Sequence, residues 1–376
     1  MKPSGAVVFY MNIISPHQIP LAREVARCVG FGNFRFIYAE RFPADRAKMG
    51  WTDDSADVTC LSANTPDARD WLESADFMLT GVRDLDLFER RGTRGLKTFY
   101  TSERWFRPTL GRFRMLHPTF RRMAHRFVSL IRKGFVTYLP CGVWAARDMA
   151  WLCARGEERR KIFESLNRHG IWQPMESVGC DWMRMWGYFV APSSAAKPRR
   201  ADASPECAVR VLWVGRLLAL KRVDTLLRAI AACLEKIPIE LTLVGDGPER
   251  DALELLGRRL FKRHPTALDF RHSVPIAEVR TLMRSHDVYI LPSNGYEGWG
   301  AVVNEALEEG MIVFGSRQAG ACATMLDESH LFDAGDVHAM SRLLGKARTE
   351  FKGGEIGPWS AASGAARLLK EVEFHV

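Results

Sequence analysis

The stretch DVYILPSNGYEGWGAVVNEALEEG, residues 287–310, sets the interpretation of the chain. Its segment VYILPS (288–293) is apolar and of strand length, and a helix is expected over residues 300–310. The intervening NGYEGWG contains three glycines, which allow a ligand to approach the backbone closely. In open α/β sheets, ligands bind beyond the carboxyl ends of the strands. The stretch therefore predicts a binding loop between a strand and a helix.

Two glutamates in this stretch are candidate ligand-binding residues. Glu297 lies just before the expected helix, and Glu305 lies about two turns inside it. Eight helical residues advance about 12 Å, the scale on which a diphosphate separates two sugars. We therefore expect Glu305 to bind ribose hydroxyls and Glu297 to bind a transferred sugar, with phosphate at the helix N-terminus. On its own, the spacing is equally typical of a turn residue and a solvated helix residue.

Strand and helix patterns alternate along the rest of the chain. The other strand candidates of the C-terminal half are VRVLWVG (209–215), IELTLVG (239–245), a segment near 268–271 and MIVFGS (311–316). A helix is predicted at residues 276–285. The N-terminal half starts with AVVFYMNII (6–14) and a helical stretch from Leu21 to Val29. This alternation predicts an α/β protein with parallel, doubly wound sheets.

A length of 376 residues exceeds one typical domain, so we expect two. The segment PSSAAKPRRADASP (192–205) has the composition of a linker. It separates a predicted N-terminal domain, residues 1–200, from a predicted nucleotide-binding domain, residues 205–357. Residues 358–376 are predicted to form a terminal helix.

Two further motifs precede the first one in the C-terminal half. Gly215-Arg216 ends one strand, and Lys221 follows before a helix. Two cations at a strand end can neutralise a diphosphate leaving group in place of a metal ion. Gly245 opens the tight turn GDGPE after the next strand. Each motif alone is more typical of a surface charge or of a simple connection.

Taken together, VGRLLALKRVDTLLRAI (214–230), LTLVGDGPER (241–250) and the stretch 287–310 resemble the family 4 glycosyltransferases. These are retaining enzymes of the GT-B architecture, in which two Rossmann-like domains face each other across a cleft. The resemblance covers residues 209–316 and implies a nucleotide-diphosphate sugar as donor. It also implies a set of donor-binding residues: Gly215, Arg216, Lys221, Gly245, Asn294, Glu297, Gly298, Trp299, Gly300 and Glu305.

The chain departs from this family at two places in the donor half. Trp299 stands where the family usually has phenylalanine, and SRQAGACATM (316–325) replaces the usual paired glycines after the next strand. The second departure leaves one wall of the expected site undefined.

The resemblance is fainter in the N-terminal half, where the family binds the acceptor. His17, in the loop SPHQIPLARE (15–24), is the candidate there for hydrogen bonding to substrate. In TFYTSERWF (98–106), where family members often have an active-site histidine, this chain offers Glu103 and Arg104. The predicted catalytic residues are therefore Glu297, His17 and Glu103.

A basic stretch from Arg104 to Lys133 contains nine Lys and Arg residues and no acidic residue. Aromatic residues are interleaved with them: Trp105, Phe106, Phe113, Phe120 and Phe127. This composition predicts a surface for anionic membranes or for a phosphorylated lipid-linked acceptor. Its arginines are Arg104, Arg107, Arg112, Arg114, Arg121, Arg122 and Arg126. The alternative is a solvated helix face whose heptad-spaced phenylalanines form the core side.

The expected reaction is transfer of a sugar to an acceptor hydroxyl, with retention, in the assembly of a surface polysaccharide or glycolipid. The net charge of +9 favours anionic partners. No metal or other cofactor is expected, and Asp84-Leu85-Asp86 is interpreted as a helix start. The partners expected are a glycan or lipid-linked glycan acceptor and an anionic membrane surface, without nucleic acid.

No segment has the roughly 20 apolar residues of a membrane-spanning helix, so a cytoplasmic protein, peripheral at the inner face of the membrane, is expected. Two other functions remain open. One is a non-catalytic GT-B subunit that binds a nucleotide-sugar or a partner enzyme. The other is a nucleic-acid-binding protein that uses the basic stretch, although the stacking motifs of known modules are absent.

Overall fold

The computed structural model describes residues 5–40, 57–166, 180–193 and 207–371. These residues divide into two compact α/β units. The first unit consists of residues 5–40, 57–166, 180–191 and 358–371, and the second of residues 192–193 and 207–357. Most of the predicted linker, from residue 194 onward, lies outside the described residues.

The first unit contains a six-stranded parallel sheet. Its strands are β1 (Val7–Met11), β2 (Phe34–Tyr38), β3 (Cys60–Ser62), β4 (Phe77–Thr80), β5 (Lys97–Ser102) and β6 (Thr137–Pro140). They lie in the order β3-β2-β1-β4-β5-β6. The direction of winding reverses at β1, whose Val7 pairs with Phe34 on one side and Phe77 on the other. Such a reversal opens a crevice at the carboxyl ends of the two central strands.

Helices connect these strands. They are α1 (Ile19–Val29), α2 (Pro66–Ser74), α3 (Leu85–Thr93), α4 (Pro118–Arg132), α5 (Val143–Cys153) and α6 (Gly156–Leu166). Helix α1 begins two residues before the predicted Leu21, because Pro20 fits the first turn of a helix. The Asp84 carboxylate accepts a hydrogen bond from Leu87 N at 2.9 Å, so it caps α3. The interpretation of Asp84-Leu85-Asp86 as a helix start is confirmed.

The second unit is built around another six-stranded parallel sheet. Its strands are β7 (Val209–Val214), β8 (Ile239–Val244), β9 (Leu268–Arg271), β10 (Val288–Leu291), β11 (Ile312–Ser316) and β12 (Leu331–Phe332). The order is β12-β11-β10-β7-β8-β9, so the reversal lies between β7 and β10. The two strands pair directly, with Val211 opposite Val288. The predicted class, α/β with two doubly wound parallel sheets, is confirmed.

The helices of the second unit follow the predicted alternation. They are α7 (Val223–Cys233), α8 (Arg250–Leu260), α9 (Ile276–Ser285), α10 (Val302–Glu308), α11 (Gly320–Met325) and α12 (Val337–Glu350). The bounds of α9 and β9 agree with the predictions for residues 276–285 and 268–271.

The expected position of Glu305 two turns inside its helix is wrong. Helix α10 starts at Val302, so Glu305 lies in its first turn. Gly300 has a φ of +94°, which a right-handed helix cannot contain, and it delays the helix start. Residues 297–301 therefore form a loop, and the helical spacing of about 12 Å between Glu297 and Glu305 does not apply.

The final helix, α13 (Ala361–Glu371), belongs to the first unit. It packs against α1, and the Glu371 carboxylate accepts a hydrogen bond from Arg184 Nε at 3.1 Å. The Lys97 ammonium donates to the Glu371 carbonyl at 3.2 Å. The C-terminal segment therefore forms part of the N-terminal unit, although the second unit precedes it in sequence.

A buried arginine stabilises the first unit. The Arg91 side chain is completely buried and donates to the carbonyls of Leu72, Ala75 and Lys97 at 2.7–3.0 Å. It also donates to the Thr98 hydroxyl at 3.0 Å. Burial lowers the pKa of the guanidinium to about 10, so it remains charged at neutral pH. A single side chain thus satisfies the end of α2 and the start of β5.

We predict that Arg91→Ala lowers the free energy of unfolding by about 3 kcal/mol or more, because several buried acceptors lose their donor. The matched control is Arg90→Ala, which removes a half-exposed arginine paired with Glu73. It should cost no more than about 0.5 kcal/mol. Urea unfolding of both variants measures the difference, and equal midpoints would contradict the structural role of Arg91.

Candidate functional site

The loop between β10 and α10 lies beside the connection between β7 and α7. Asn294 N donates to the Leu220 carbonyl at 2.9 Å, and Glu297 N donates to the Asn294 carbonyl at 3.0 Å. The loop that contains Glu297 is therefore tied to the segment that contains Lys221. Both follow the strands between which the winding of the sheet reverses, which is the position where doubly wound sheets bind ligands.

Glu297 and Lys221 form an ion pair at this position. Lys221 Nζ lies 2.5 Å from Glu297 Oε2, and the Ser293 hydroxyl donates to the same oxygen at 2.9 Å. The Lys221 and Glu297 side chains are only 16% and 12% exposed. Such shielding strengthens the attraction between the charges relative to a surface pair. Two predicted site residues are thus in direct contact.

The neighbouring cation, Arg216, is exposed. Within the part of the chain that the structure describes, its side chain makes no ion pair. The backbone around it is fixed, because Gly215 N donates to the Val244 carbonyl at 3.0 Å and Leu217 N to the Asp246 carbonyl at 2.9 Å. The loops at Gly215 and Gly245 therefore run side by side. Arg216 is free to bind an anion at their edge.

Tyr289 shows that both glutamates act on one point of the sheet. Its phenol is buried on β10, and burial raises its pKa well above the ordinary value. The negative charges of Glu297 and Glu305 raise the pKa further. Both carboxylates therefore lie close enough to Tyr289 to affect its ionisation, although Glu305 occupies a different helical turn from the one expected.

The indole of Trp299 explains how the chain tolerates tryptophan where the resemblance implies phenylalanine. The ring is buried, and its Nε1 donates to Asn304 Oδ1 at 2.7 Å. Asn304 is itself fully buried on α10. The bond holds the glycine-rich loop against the first turn of α10. Sequence reasoning missed Asn304, whose only signal was an amide among apolar residues of the helix.

The segment SRQAGACATM supplies the wall that the sequence left undefined. Ala321 N donates to the Trp299 carbonyl at 2.9 Å. A Cβ atom added to Gly320 would lie 2.2 Å from the Gly298 carbonyl oxygen, so only glycine fits there. This single glycine was also missed, because its role depends on a loop 20 residues earlier in the chain.

A second candidate site lies in the first unit, at the carboxyl ends of its strands. A cavity of about 360 Å³ is lined by His17, Glu103, Thr101, Cys141 and Tyr188, among others. The structure therefore brings His17 and Glu103, the two predicted catalytic residues of the N-terminal half, to one cavity. Burial raises the pKa of the Cys141 thiol to about 12, so this thiol is protonated at neutral pH and is not a nucleophile.

Asp148 positions the loop that contains Glu103. Its Oδ2 accepts hydrogen bonds from the backbone N–H groups of Trp105 and Phe106, each at 2.9 Å. Burial raises the pKa of Asp148, although these bonds and Arg104 act in the opposite direction. Sequence reasoning missed this residue, which appears in the sequence only as an isolated carboxylate in the apolar helix α5.

The structure corrects the interpretation of the basic stretch as one continuous surface. The rings of Trp105, Phe106 and Phe127 are buried in the core of the first unit. Arg126 donates to Asp86 at 2.5 Å and to Glu89 at 3.0 Å. The carboxylates missing from the stretch are thus supplied by α3.

Arg114 also differs from the expectation for an exposed surface residue, since it donates to the Trp105 carbonyl at 2.7 Å and lies over the Phe120 ring. Arg104 is largely buried, within 3.8 Å of the Asp148 carboxylate. These two arginines hold the fold of the stretch. Heptad spacing does not define a core side either, because Phe113 is 76% exposed.

An exposed part of the stretch nevertheless remains. Leu110, Phe113 and Leu116 are 58%, 76% and 75% exposed and lie in or beside the 3₁₀ turn at residues 111–116. The exposed arginines around them are Arg107, Arg112, Arg121 and Arg122. We name these three apolar side chains and four arginines the apolar–basic patch. Exposed apolar groups rimmed by cations are typical of interaction surfaces.

None of the described helices is long and apolar enough to cross a membrane. In the same described ranges, no three His, Cys, Asp or Glu side chains gather closely enough to hold a metal ion.

Residues 208–347, which include the Lys221–Glu297 pair, match the family Glycosyl transferases group 1. This part of the chain is similar to the members of that family. Phosphatidyl-myo-inositol mannosyltransferase of Mycobacterium tuberculosis is 34% identical over 147 residues, which is 39% of this chain. The matched stretch spans only 37% of that relative's length.

The fold of the whole chain resembles that of solved GT-B glycosyltransferases. The apo form of the lipopolysaccharide outer core galactosyltransferase WaaB superposes with a TM-score of 0.61 at 12% identity, covering 98% of this chain and 99% of that one. Anabaena Alr3699/HepE in complex with UDP gives a TM-score of 0.59 at 13% identity, with coverages of 97% and 95%. At these identities the likeness concerns the fold alone.

We predict that Trp299→Phe destabilises the second unit by about 1–3 kcal/mol, because the buried Asn304 amide loses its donor. The matched control is Trp213→Phe. Trp213 is equally buried, but its indole nitrogen has no hydrogen-bond partner among the residues that the structure describes. Urea unfolding should show a larger loss for Trp299→Phe than for Trp213→Phe. An equal loss would mean that only ring volume matters at residue 299.

Proposed function

We propose that this protein is a glycosyltransferase that moves a sugar from a nucleoside-diphosphate donor to an acceptor hydroxyl. The observation that supports it best is the shielded Lys221–Glu297 pair, placed at the strand reversal of a group 1 domain beside the exposed Arg216. Two cations at this position suit a diphosphate, and the carboxylate paired with Lys221 suits sugar hydroxyls. Anabaena Alr3699/HepE, whose structure was solved in complex with UDP, has a similar fold.

In this proposal the cations stabilise the departing nucleoside diphosphate. Lys221 Nζ bonds to only one oxygen of Glu297, so its other N–H groups can reach a phosphate oxygen. Arg216 can bind a phosphate with two parallel hydrogen bonds. Their charges would compensate the negative charge that develops as the sugar–phosphate bond breaks, without a metal ion. Glu305 would bind the ribose, as the resemblance implies.

Glu297 has a different part, because one of its oxygens is already occupied. Oε2 accepts from both Lys221 and Ser293, which fixes the carboxylate orientation. Oε1 then points its lone pairs to hydroxyl groups of the transferred sugar. With retention, the resemblance implies that the departing phosphate takes the acceptor proton, so Glu297 binds and orients rather than attacking the sugar.

The acceptor is proposed to bind in the cavity of the first unit that contains His17 and Glu103. Asp148 keeps the Glu103 loop in place through two backbone hydrogen bonds. Both side chains can hydrogen-bond a hydroxyl, which is the group that an acceptor glycan presents. Glu103 stands where the resemblance implies an active-site histidine. This replacement is the reason to consider a non-catalytic subunit, and a transfer assay decides between the two functions.

We further propose that the acceptor is carried on a lipid and that the apolar–basic patch contacts the inner face of an anionic membrane. Apolar side chains enter the interface while the surrounding arginines attract anionic headgroups. The mannosyltransferase relative, whose name specifies phosphatidyl-myo-inositol, supports a lipid acceptor. A role in glycolipid or surface polysaccharide assembly follows from such an acceptor.

We predict that Glu297→Gln lowers sugar transfer on the order of 10²-fold, because the amide keeps the shape but loses the charge that binds hydroxyls and Lys221. Transfer and donor hydrolysis are measured with a panel of sugar nucleotides and a lipid-phosphate acceptor. Glu240→Gln, an exposed substitution on β8 of the same sheet, is the matched control. Near-normal turnover in Glu297→Gln would remove Glu297 from the site.

The same assay, together with an oligonucleotide-binding measurement, separates the three candidate functions. Transfer by the wild type supports the enzyme. Donor binding with neither transfer nor slow hydrolysis, for every acceptor tried, would favour the non-catalytic subunit. Salt-dependent oligonucleotide binding with no response to sugar nucleotides would favour a nucleic-acid-binding protein.

We predict that replacing Phe113 and Leu116 by serine lowers partitioning onto anionic vesicles about tenfold, because exposed apolar side chains supply the interfacial binding energy. The matched control replaces Leu255, which is 69% exposed in the second unit, by serine. Vesicle sedimentation measures the effect. Unchanged sedimentation of the Phe113/Leu116 variant would reject membrane contact at the patch.

A further inference from the structure

The first unit contains a second cavity, of about 500 Å³, formed by α4, α5 and the start of α6. Its lining residues include Met115, Val128, Arg132, Trp151, Arg155 and Arg159. None of them lines the cavity that contains His17 and Glu103. A volume of this size is within the range of small-molecule binding sites. The proposed transfer reaction assigns it no role.

The cavity has positive charge that no carboxylate among its lining residues compensates. Within the described part of the chain the Arg132 side chain makes no ion pair, and Arg155 donates only to the Ala154 carbonyl at 3.4 Å. Arg159 donates to the carbonyls of Trp151 and Ala154 at 2.7–3.1 Å. These carbonyls hold the Arg159 guanidinium in place without neutralising it.

Acidic side chains of α5 and α6 are engaged elsewhere. Glu158 accepts a hydrogen bond from the Trp182 indole at 3.0 Å, and Glu157 is paired with Arg160 at 2.6 Å. Asp148 accepts from two backbone N–H groups. An anion entering the cavity would therefore meet three guanidinium groups without repulsion from a lining carboxylate.

Apart from His125, the rest of the lining is apolar. Ala124, Val128 and Leu152 belong to the facing helices α4 and α5. The Trp151 ring lies beneath the Arg112 guanidinium, 5.0 Å from its centroid. The cavity thus combines a cationic side with an apolar side. A ligand that matches both is an anion attached to a hydrocarbon chain.

We propose that this cavity binds the phosphate headgroup of an anionic membrane lipid. Guanidinium groups bind phosphate oxygens with paired hydrogen bonds, which favours phosphate over a carboxylate. A lipid source is favoured over free phosphate because Met115, in the lining, adjoins Leu116 of the apolar–basic patch. The inference rests on the membrane contact in the proposed function and adds a headgroup site separate from both substrate sites.

The test compares two kinds of phosphatidylcholine vesicle with equal zeta potential. One contains phosphatidylglycerol, and the other contains cholesteryl hemisuccinate, an anionic lipid with a carboxylate headgroup. The wild type should bind the phosphatidylglycerol vesicles about fivefold more tightly, because arginines recognise phosphate geometry. Arg132→Gln with Arg155→Gln should abolish this preference, while thermal unfolding shows an intact fold.

The matched control is Arg121→Gln with Arg122→Gln, which removes the same charge from exposed positions of α4 outside the cavity lining. It should weaken binding to both vesicles equally and keep the preference. If both double variants lost the preference for phosphatidylglycerol vesicles equally, the headgroup site would be overturned, because overall charge alone would then explain vesicle binding. The proposal would also be overturned if the wild type bound both vesicles equally or bound neither of them.

Glycerol 1-phosphate, titrated by calorimetry, separates the two sources of phosphate. Weak binding, with a dissociation constant above about 1 mM, is expected when the hydrocarbon part is missing. Binding as tight as to the vesicles would assign the cavity to a soluble phosphate ester and overturn the lipid assignment. Nucleoside-diphosphate binding, measured on the same preparation, reports separately on the proposed transferase function.

Discussion

The ion pair between Lys221 and Glu297 joins the two halves of the candidate donor site. The two residues are 76 positions apart, and they meet because β7 and β10 are neighbours at the reversal of a parallel sheet. The loops that follow both strands then open at the same edge. Ser293 fixes the Glu297 carboxylate from the strand side, so the pair has one orientation. The rest of the site is arranged around it.

The supporting contacts keep the glycine-rich loop in a shape that no regular element provides. Trp299 is anchored on Asn304, and the Gly298 carbonyl is covered by Gly320. Gly300 turns the chain into α10 with a positive φ. These contacts bury the tryptophan ring while the backbone of the loop stays beside Lys221. A rigid loop of this kind suits a site that must hold charge without reorganising.

Much of the fold could be predicted from the sequence because its signals are local. The apolar strands of the second unit and helix α9 follow from periodicity and flanking turns alone. The start of α10 could not be predicted, since it depends on the backbone angle of Gly300. Asn304 and Asp148 were missed for a related reason. The indole N–H of Trp299 reaches Asn304 only in the folded chain, and the same holds for the backbone N–H groups of Trp105 and Phe106 that Asp148 binds.

The charge of the basic stretch likewise could not be interpreted from the sequence alone. A sequence window counts cations but cannot see that Asp86 and Glu89 of α3 pair with Arg126. Nor can it show that Phe113 is exposed while Phe127 is buried. Packing of neighbouring helices divides the stretch into a structural part and an exposed part. Only the exposed part and the arginines around the second cavity are available to partners.

In the proposed function, Lys221 beside Glu297 binds the phosphates of a nucleoside diphosphate. Calorimetric titration with UDP, GDP and ADP, and with the matching nucleosides, measures this binding in the wild type and in Lys221→Met. We predict that one diphosphate binds at least about tenfold more tightly than its nucleoside, and that this ratio of affinities is smaller in Lys221→Met. Equal affinities for diphosphate and nucleoside in the wild type, or an unchanged ratio in the variant, would rule out phosphate binding by Lys221.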